Sequence, residues 1–385
     1  MTESDVIFEV VSSKENSRWN EIVRSYLHWD IYYLNEYARS FEIHGDGEAF
    51  LISFQWTGSG QDDIDKAEQA ENVMNSQDLL KQASCRLCYV VMKKDIGTDE
   101  KFADLLPADC WYDLETPYGY GGFLLQGTFT KEACRAFVTK MSAYAEENRI
   151  VSQFVRFYPV YHNETYYERM QDSAIRYLRD TIYIDTTDKE NIMANMDSKN
   201  RNMVRKAIKS GVTICHDKGE HLDDFIRIYE STMDHDHATS YYYFKREYYE
   251  YLIEHMKEQL EIFYSVYEGN YIGAAIFFYN KEYMHYHLSG MYTEYRSTAA
   301  TNLLLYEAAV WACERGIRLL HLGGGLGAED SLFGFKKQFN KKGRLPFYVG
   351  RTIFDKEAYK ELMRRRKEAD ASFDLENSFM IQYRK

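Results

Sequence analysis

The run YMHYHLS, Tyr283 to Ser289, sets His285, Tyr286 and His287 side by side. Side chains alternate along a strand, so His285, His287 and Ser289 are expected on one face and Tyr286 and Leu288 on the other. An imidazole near its ordinary pKa can take a proton and a phenol can give one, which makes these three residues candidates for proton transfer. A histidine on an internal strand serves equally well as a satisfied structural group. Downstream, LGGGLGAED gathers Gly323, Gly324, Gly325 and Gly327 between a strand and a helix capped near Asp330 or Ser331. Such a loop lets backbone approach a substrate closely, and it also suits a plain turn. Lys336 follows in FGFKKQF, flanked by Phe335 and Phe339 and beside Lys337.

Three further stretches bear on binding. RSTAATN, Arg296 to Asn302, lies where a strand gives way to a helix. Backbone N–H groups at a helix start, aided by its dipole, cradle phosphates, and small side chains let them come near, Ala less freely than Gly. Arg296, Ala299, Ala300, Thr301 and Asn302 are the candidate contacts. NRNMVRKAIKSG puts Lys199, Arg201, Arg205, Lys206 and Lys209 on about half of a helix circumference, with Ile192, Met196, Met203, Val204 and Ile208 on the other half. That basic face is either solvated or a contact for a phosphate-bearing substrate, with Arg201 and Arg205 as its candidates. DLETPYGYGG combines Asp113, Tyr118, Gly119, Tyr120, Gly121 and Gly122. Aromatic faces and exposed amides suit a sugar or nucleobase with phosphates, and a structural turn explains them as well.

Two patterns resemble metal sites and lack the partners. Asp234, His235, Asp236 and His237 follow a helix with no further ligands in view, and Cys85 and Cys88 fall in the apolar run CRLCYVVMKK, where residues three apart face opposite sides. No metal is expected.

The elements that must hold these groups alternate. The first half reads as strand (Val6 to Val11), helix (Asn16 to Leu27) and strand (Ala49 to Trp56). A polar stretch from Gly58 to about Ser84 reads as a surface loop or loose helix. Strand (Leu87 to Lys93), helix (Lys131 to Glu147) and strand (Ser152 to Tyr158) follow. The second half reads as a strand near Thr181 to Ile184, the basic helix ended by Gly211, and a strand from Val212 to His216. Helices Leu222 to Met233 and Lys245 to Met256 come next. Leu260 to Tyr267, Ile272 to Tyr279 and Tyr283 to Ser289 form an antiparallel meander with short turns. Helix (Asn302 to Glu314), strand (Leu319 to Leu322), helix (Ser331 to Asn340) and strand (Phe347 to Ile353) complete it. The fold class is mixed α/β with mainly antiparallel sheets.

At 385 residues the chain suggests two domains, and 45% hydrophobic with 28% charged residues is ordinary globular usage. A net charge of −13 argues against general nucleic-acid binding, and DNA is not expected as a partner. No run approaches the roughly 18 apolar residues of a transmembrane span, and MTESDVIFEV lacks a signal-peptide pattern. Six cysteines without framework spacing fit a reducing compartment, so the chain reads as cytoplasmic.

The order helix, helix, meander, helix, strand, helix, strand in the second half resembles a GNAT acyltransferase domain. Such domains carry R or Q-x-x-G-x-G or A at the meander–helix junction; Arg296 matches in register, while Ala299 and Thr301 replace the two small positions. DLETPYGYGG, VRFYPVYHN (Val155 to Asn163), RNMVRKAIKSGV (Arg201 to Val212) and HLGGGLGAEDSLFGFKKQF (His321 to Phe339), in this order over nearly the whole chain, resemble the Fem family of peptidoglycan-bridge aminoacyltransferases. That resemblance implies two GNAT-like domains in tandem, here without the coiled-coil arm that some members insert. It divides the chain into residues 1–180 on the acceptor side, 181–354 as the acyltransferase domain, and a helical segment, 355–385, that packs back on the first. Lys336 matches the lysine of the family motif F-K-x-x-F beside the acyl end of the donor, where an ammonium steadies charge on the intermediate or leaving group.

The expected function is therefore amide formation, by acyl or aminoacyl transfer to an amine of a cell-wall or envelope precursor. One alternative is acyl-CoA-dependent N-acetylation of an amino sugar for capsule or polysaccharide; another, from a different class, is a tandem GNAT binding protein without catalysis. Lys336, His287, His285 and Tyr286 are the catalytic candidates. No tightly bound cofactor is expected. The co-substrate is acyl-CoA or aminoacyl-tRNA, and the partners are a small-molecule, lipid-linked or nucleotide-linked amine and, with the second donor, a tRNA acceptor end.

Overall fold

The computed structural model describes residues 6–57, 84–170, 172–325, 327 and 329–385. The polar stretch after Gly58 therefore falls, up to residue 83, outside the described residues. The chain forms two compact units, residues 1–177 with 348–385, and residues 178–347.

Unit 1 holds β1 (Val6–Ser12), α1 (Asn16–Arg24), α2 (Asn35–His44), β2 (Glu48–Thr57), β3 (Ser84–Asp95), β4 (Tyr112–Glu115), β5 (Leu124–Gly127), α3 (Lys131–Glu147) and β6 (Ile150–Arg156). Its strands run in the order β1, β2, β3, β4, β6, with β5 also on β3. All neighbours are antiparallel except β4 and β6. β3 is buried along most of its length, as its apolar run requires of a central strand, and Cys85 and Cys88 are core thiols whose pKa burial pushes up to about 12. α2 was not legible in sequence because NEYARSFEIH buries polar and aromatic residues together: Asn35, Tyr37, Ala38, Ser40 and Phe41. β4 and β5 are four residues each, too short to show a period.

Unit 2 begins within β7 (Ser173–Asp185) and continues through α4 (Lys189–Asn195), α5 (Ser198–Lys209), β8 (Thr213–Asp217), α6 (Leu222–His235), α7 (Arg246–His255), β9 (Leu260–Tyr267), β10 (Asn270–Tyr279), β11 (Tyr283–Met291), α8 (Ala300–Glu314), β12 (Leu319–Gly323) and α9 (Ser331–Lys337). The chain then returns to unit 1 within β13 (Arg344–Ile353), which pairs antiparallel with β6, and ends with α10 (Lys356–Ala369). The sheet order in unit 2 is β7, β12, β11, β10, β9, β8, and the meander β9–β10–β11 is antiparallel as its short turns predict. α8 is apolar nearly all round, and so it is a core helix: Leu303, Leu304, Leu305, Ala308, Ala309 and Val310 are buried with Ile182, Ile184, Leu320 and Phe333. Each of its three buried leucines contributes about 2 kcal/mol of apolar transfer.

α10 packs Ala358, Tyr359, Leu362 and Met363 with Ile96, Phe102 and Leu106 of unit 1. The tail beyond it is fixed by a buried carboxylate. Asp113 accepts Ser152 Oγ at 2.8 Å, Tyr383 OH at 2.6 Å and Arg384 Nε at 2.7 Å.

Candidate active site

β11 and β12 pair in parallel at Tyr283↔Leu319, Met284↔Leu320 and His285↔His321, and there the pairing stops while both strands run on. On the other side, β11 has one residue more than β10 between Ala275↔Ser289 and Phe277↔Tyr286. This bulge re-aims the strand. It overturns the simple alternation expected for Tyr283 to Ser289: Tyr286 OH donates to Ser289 Oγ, so these two side chains meet on one side. His287 instead hydrogen-bonds through Nε2 with Tyr248 OH at 3.0 Å and packs on Phe278.

Lys336 comes to the mouth of this strand separation. Asp330 caps α9 by accepting Phe333 N–H at 2.8 Å, and its other oxygen accepts Gly327 N–H at 2.7 Å. A Cβ on Gly325 would lie 2.0 Å from Asp330 Oδ1, so only glycine fits beneath the cap. Lys336, 7% exposed, donates to Gly324 O at 2.8 Å, and its Nζ stands 5.6 Å from the centre of the Tyr286 ring. Burial pulls its pKa from 10.5 down to about 8, with the Asp330 carboxylate opposing. Burial likewise raises the Tyr286 phenol.

The start of α8 lies after the far end of β11. A 3-10 turn, Thr293–Thr298, carries Arg296, and Ala299 then takes φ +59°, a left-handed conformation usually left to glycine. The N–H groups of Asn302 and Leu303 turn back to Ala299 O, and no side chain caps the helix, which leaves the amides of Ala300 and Thr301 as its first-turn donors. Thr301 Oγ1 reaches Met291 Sδ, and Asn302 Nδ2 donates to the buried Asn200 Oδ1 at 2.7 Å.

The histidines form a buried line rather than an open base. His285 and His321, each 1% exposed, face one another with ring centres 6.1 Å apart. Thr181 Oγ1 donates to Leu345 O, so His321 Nε2, at 2.9 Å from that hydroxyl, is the protonated nitrogen that donates to it. Burial pushes His321 well below its ordinary pKa and His287 down to about 3. Both are neutral at physiological pH and weakly basic. His321 and Thr181 were not singled out by sequence reasoning, since only strand register brings them to His285.

Other sequence candidates are occupied inside their own units. Asp113, 2% exposed, is spent on Ser152, Tyr383 and Arg384, which corrects its assignment to a ligand. Gly119, at φ +100°, lies against the Tyr32 ring, and Gly122, at φ +88°, lies against Asn163. Asn163 donates to Gly121 O and Phe123 O and accepts from Tyr158 N–H, so packing demands these glycines. Tyr118 and Tyr120 keep partly exposed rings at that loop, and Arg156 lies over Tyr118 at 5.8 Å. Arg201 donates to Met196 O at 2.6 Å and closes the α4–α5 turn, whereas Arg205 is exposed. Ile208, expected on the inner face of α5, is 55% exposed. Among the described residues no group of three or more His, Cys, Asp or Glu side chains could hold a metal ion.

Residues 197–337, from the cap of α5 to the end of α9, match the family model described as acetyltransferase (GNAT) domain. Residues 197–337 are a GNAT acyltransferase domain. In this GNAT domain the parted strands, the α8 start and Lys336 all lie inside the matched range. A search of curated proteins gives no match. Among solved structures, FemX is similar at 13% identity with a TM-score of 0.62, covering 92% of this chain and 99% of FemX, so the GNAT domain sits in a chain with the tandem GNAT-like fold of FemX. A conserved protein of unknown function from Bacteroides thetaiotaomicron (12% identity, 70% of this chain and 86% of that chain, TM-score 0.49) and a tandem GNAT protein from the clavulanic acid biosynthesis pathway (9% identity, 89% and 98%, TM-score 0.47) are also similar.

Proposed function

We propose that the chain forms an amide by moving an acyl group from a thioester carrier of the acyl-CoA type to a primary amine. The observation that carries this reading is the buried ammonium of Lys336, held on Gly324 O beside Tyr286 where β11 and β12 part. The neutral amine attacks the acyl carbon, and negative charge builds on the carbonyl oxygen. Lys336 is the cation that meets it. The C–S bond then breaks, Tyr286 supplies a proton to the departing thiolate, the new amide nitrogen releases its extra proton to solvent, and the Tyr286 phenolate takes one back from solvent. His287, held neutral by burial, and His285 are supports of β11 in this scheme. Arg296 and the amides of Ala300 and Thr301 take the donor phosphates, a role supported by the left-handed turn at Ala299.

The acceptor is an amine on an envelope precursor or amino sugar, a reading supported by the part-open Tyr118 and Tyr120 rings with Arg156 in unit 1. Six free thiols support a reducing, cytoplasmic setting. An aminoacyl-tRNA donor is the second reading, favoured by the FemX-like fold of the whole chain. Thermal unfolding of the purified chain against acyl-CoAs, UDP-linked muropeptides and amino-sugar nucleotides tests the assignment, because a ligand at 100 times its Kd adds about 2.7 kcal/mol. A shift with acyl-CoA is expected. Silence toward every acyl-CoA, together with transfer from aminoacyl-tRNA, would overturn the thioester reading.

A further inference from the structure

α5 is the most cationic element of an acidic chain. Five of its twelve residues are Lys199, Arg201, Arg205, Lys206 and Lys209, none is acidic, and the whole chain carries a net −13. Asn200, Val204 and Ala207 are buried, which turns Lys199, Arg205, Lys206 and Lys209 to solvent. Two backbone bonds extend this face. Asp197 N–H donates to Gln338 O at 2.8 Å and Lys341 N–H to Asn195 O at 3.1 Å, so the turn carrying Lys337, Lys341 and Lys342 adjoins the start of α5. None of these lysines forms an ion pair among the described residues, and Arg205 meets only Asn202, at 3.3 Å. Cations left unpaired in a chain with an excess of carboxylates indicate a surface kept for an anionic partner. Ile208, 55% exposed on the flank of α5, sets one aliphatic side chain beside these cations.

We propose that this face of unit 2, α5 with the Lys337 to Lys342 turn, docks on an anionic bilayer surface and brings the transferase to acceptors presented there. Cations and an exposed aliphatic residue on one helix suit lipid headgroups and the acyl boundary beneath them, and no exposed aromatic platform for bases accompanies them on α5. The proposal stands apart from the identity of donor and acceptor, since it concerns residues outside the reaction centre.

Flotation of the full chain with phosphatidylcholine vesicles, with and without about one-third phosphatidylglycerol, tests it. Binding is expected only to the anionic vesicles and to weaken with salt. Replacing Lys206, Lys209, Lys341 and Lys342 by Gln should lower affinity about six-hundredfold at unchanged melting temperature, at roughly fivefold per cation. Ile208→Asn should cost about tenfold. Equal binding to both vesicle types, or no response to the four substitutions, would overturn the proposal. So would tighter binding to duplex RNA at the same salt with Ile208→Asn silent, because the face would then follow a nucleic-acid backbone. Acyl transfer to a soluble amine should be unchanged in the four-site variant, which separates failure of docking from failure of the proposed reaction.

Discussion

Each unit contains a glycine-rich loop after a strand, and the two loops use their glycines for different ends. In unit 1, Gly119 to Gly122 are pinned by Tyr32 and by Asn163, whose amide is bonded on three sides. In unit 2, Gly325 and Gly327 lie against Asp330, and the carbonyl of Gly324 faces a buried ammonium. The first loop spends its polar groups on itself. The second leaves a cation of lowered pKa beside a phenol at a gap between strands. Glycine content alone therefore says little about chemistry; what the surrounding side chains do with the freed space decides it.

That contrast breaks most sharply at Lys336. Lys336→Met should lower the rate of amide formation by about a hundredfold or more, with the fold retained, since a buried charge is removed along with its function. Single-turnover kinetics beside a melting curve would show it, and an unchanged rate would favour the silent binding protein. Asn163→Ala should do the reverse. It forfeits four buried hydrogen bonds and should cost about 3 kcal/mol in denaturant unfolding, with the rate per folded molecule on a small amine little changed. Gly122→Ala, which sets a Cβ 2.8 Å from Asn163 Nδ2 at φ +88°, should cost about 2 kcal/mol in the same measurement.

The pH dependence sharpens the comparison further. Transfer that relies on the Lys336 ammonium should decline as pH rises through about 8. Stability has the opposite slope there: the unfolded lysine, at 10.5, holds its proton where the folded one has lost it, so folding is favoured increasingly from pH 8 to 10.5. His287 obeys the same sign at lower pH. Its folded pKa of about 3 lies below the ordinary 6.5, so the stability it contributes is present above 6.5 and lost as pH falls toward 3. His287→Gln should flatten that acid limb in a melting-temperature profile, and Lys336→Met the alkaline one. The smallest effect is expected at Ala299→Gly, where relief of φ +59° should add about 0.5 kcal/mol of stability.

Much of unit 2 was legible because its elements are long and periodic. The meander, the apolar α8 and the cap at Asp330 each announce themselves within a dozen residues, and the F-K-x-x-F match drew notice to Lys336. The bulge in β11 was not legible, and with it went the expected facing of Ser289. A single inserted residue leaves no mark on a hydrophobic pattern, yet it changes which side chains share a face. Asp113 misled for a related reason: an acid before an aromatic glycine loop looks like a ligand contact, and only the return of Tyr383 and Arg384 reveals a buried clasp.

The sequence by itself determined the class of fold, the order of elements and the short list of groups able to do chemistry, because periodicity, capping and turn residues act over a few positions. Only the tertiary structure decided which of those groups are usable. Burial brought the pKa of Lys336 down to about 8 and silenced His287 and His321, register joined His285 to His321 and Thr181, and packing claimed Asp113 and the unit 1 glycines. Desolvation and contact depend on residues far apart in the chain, and no local pattern carries them.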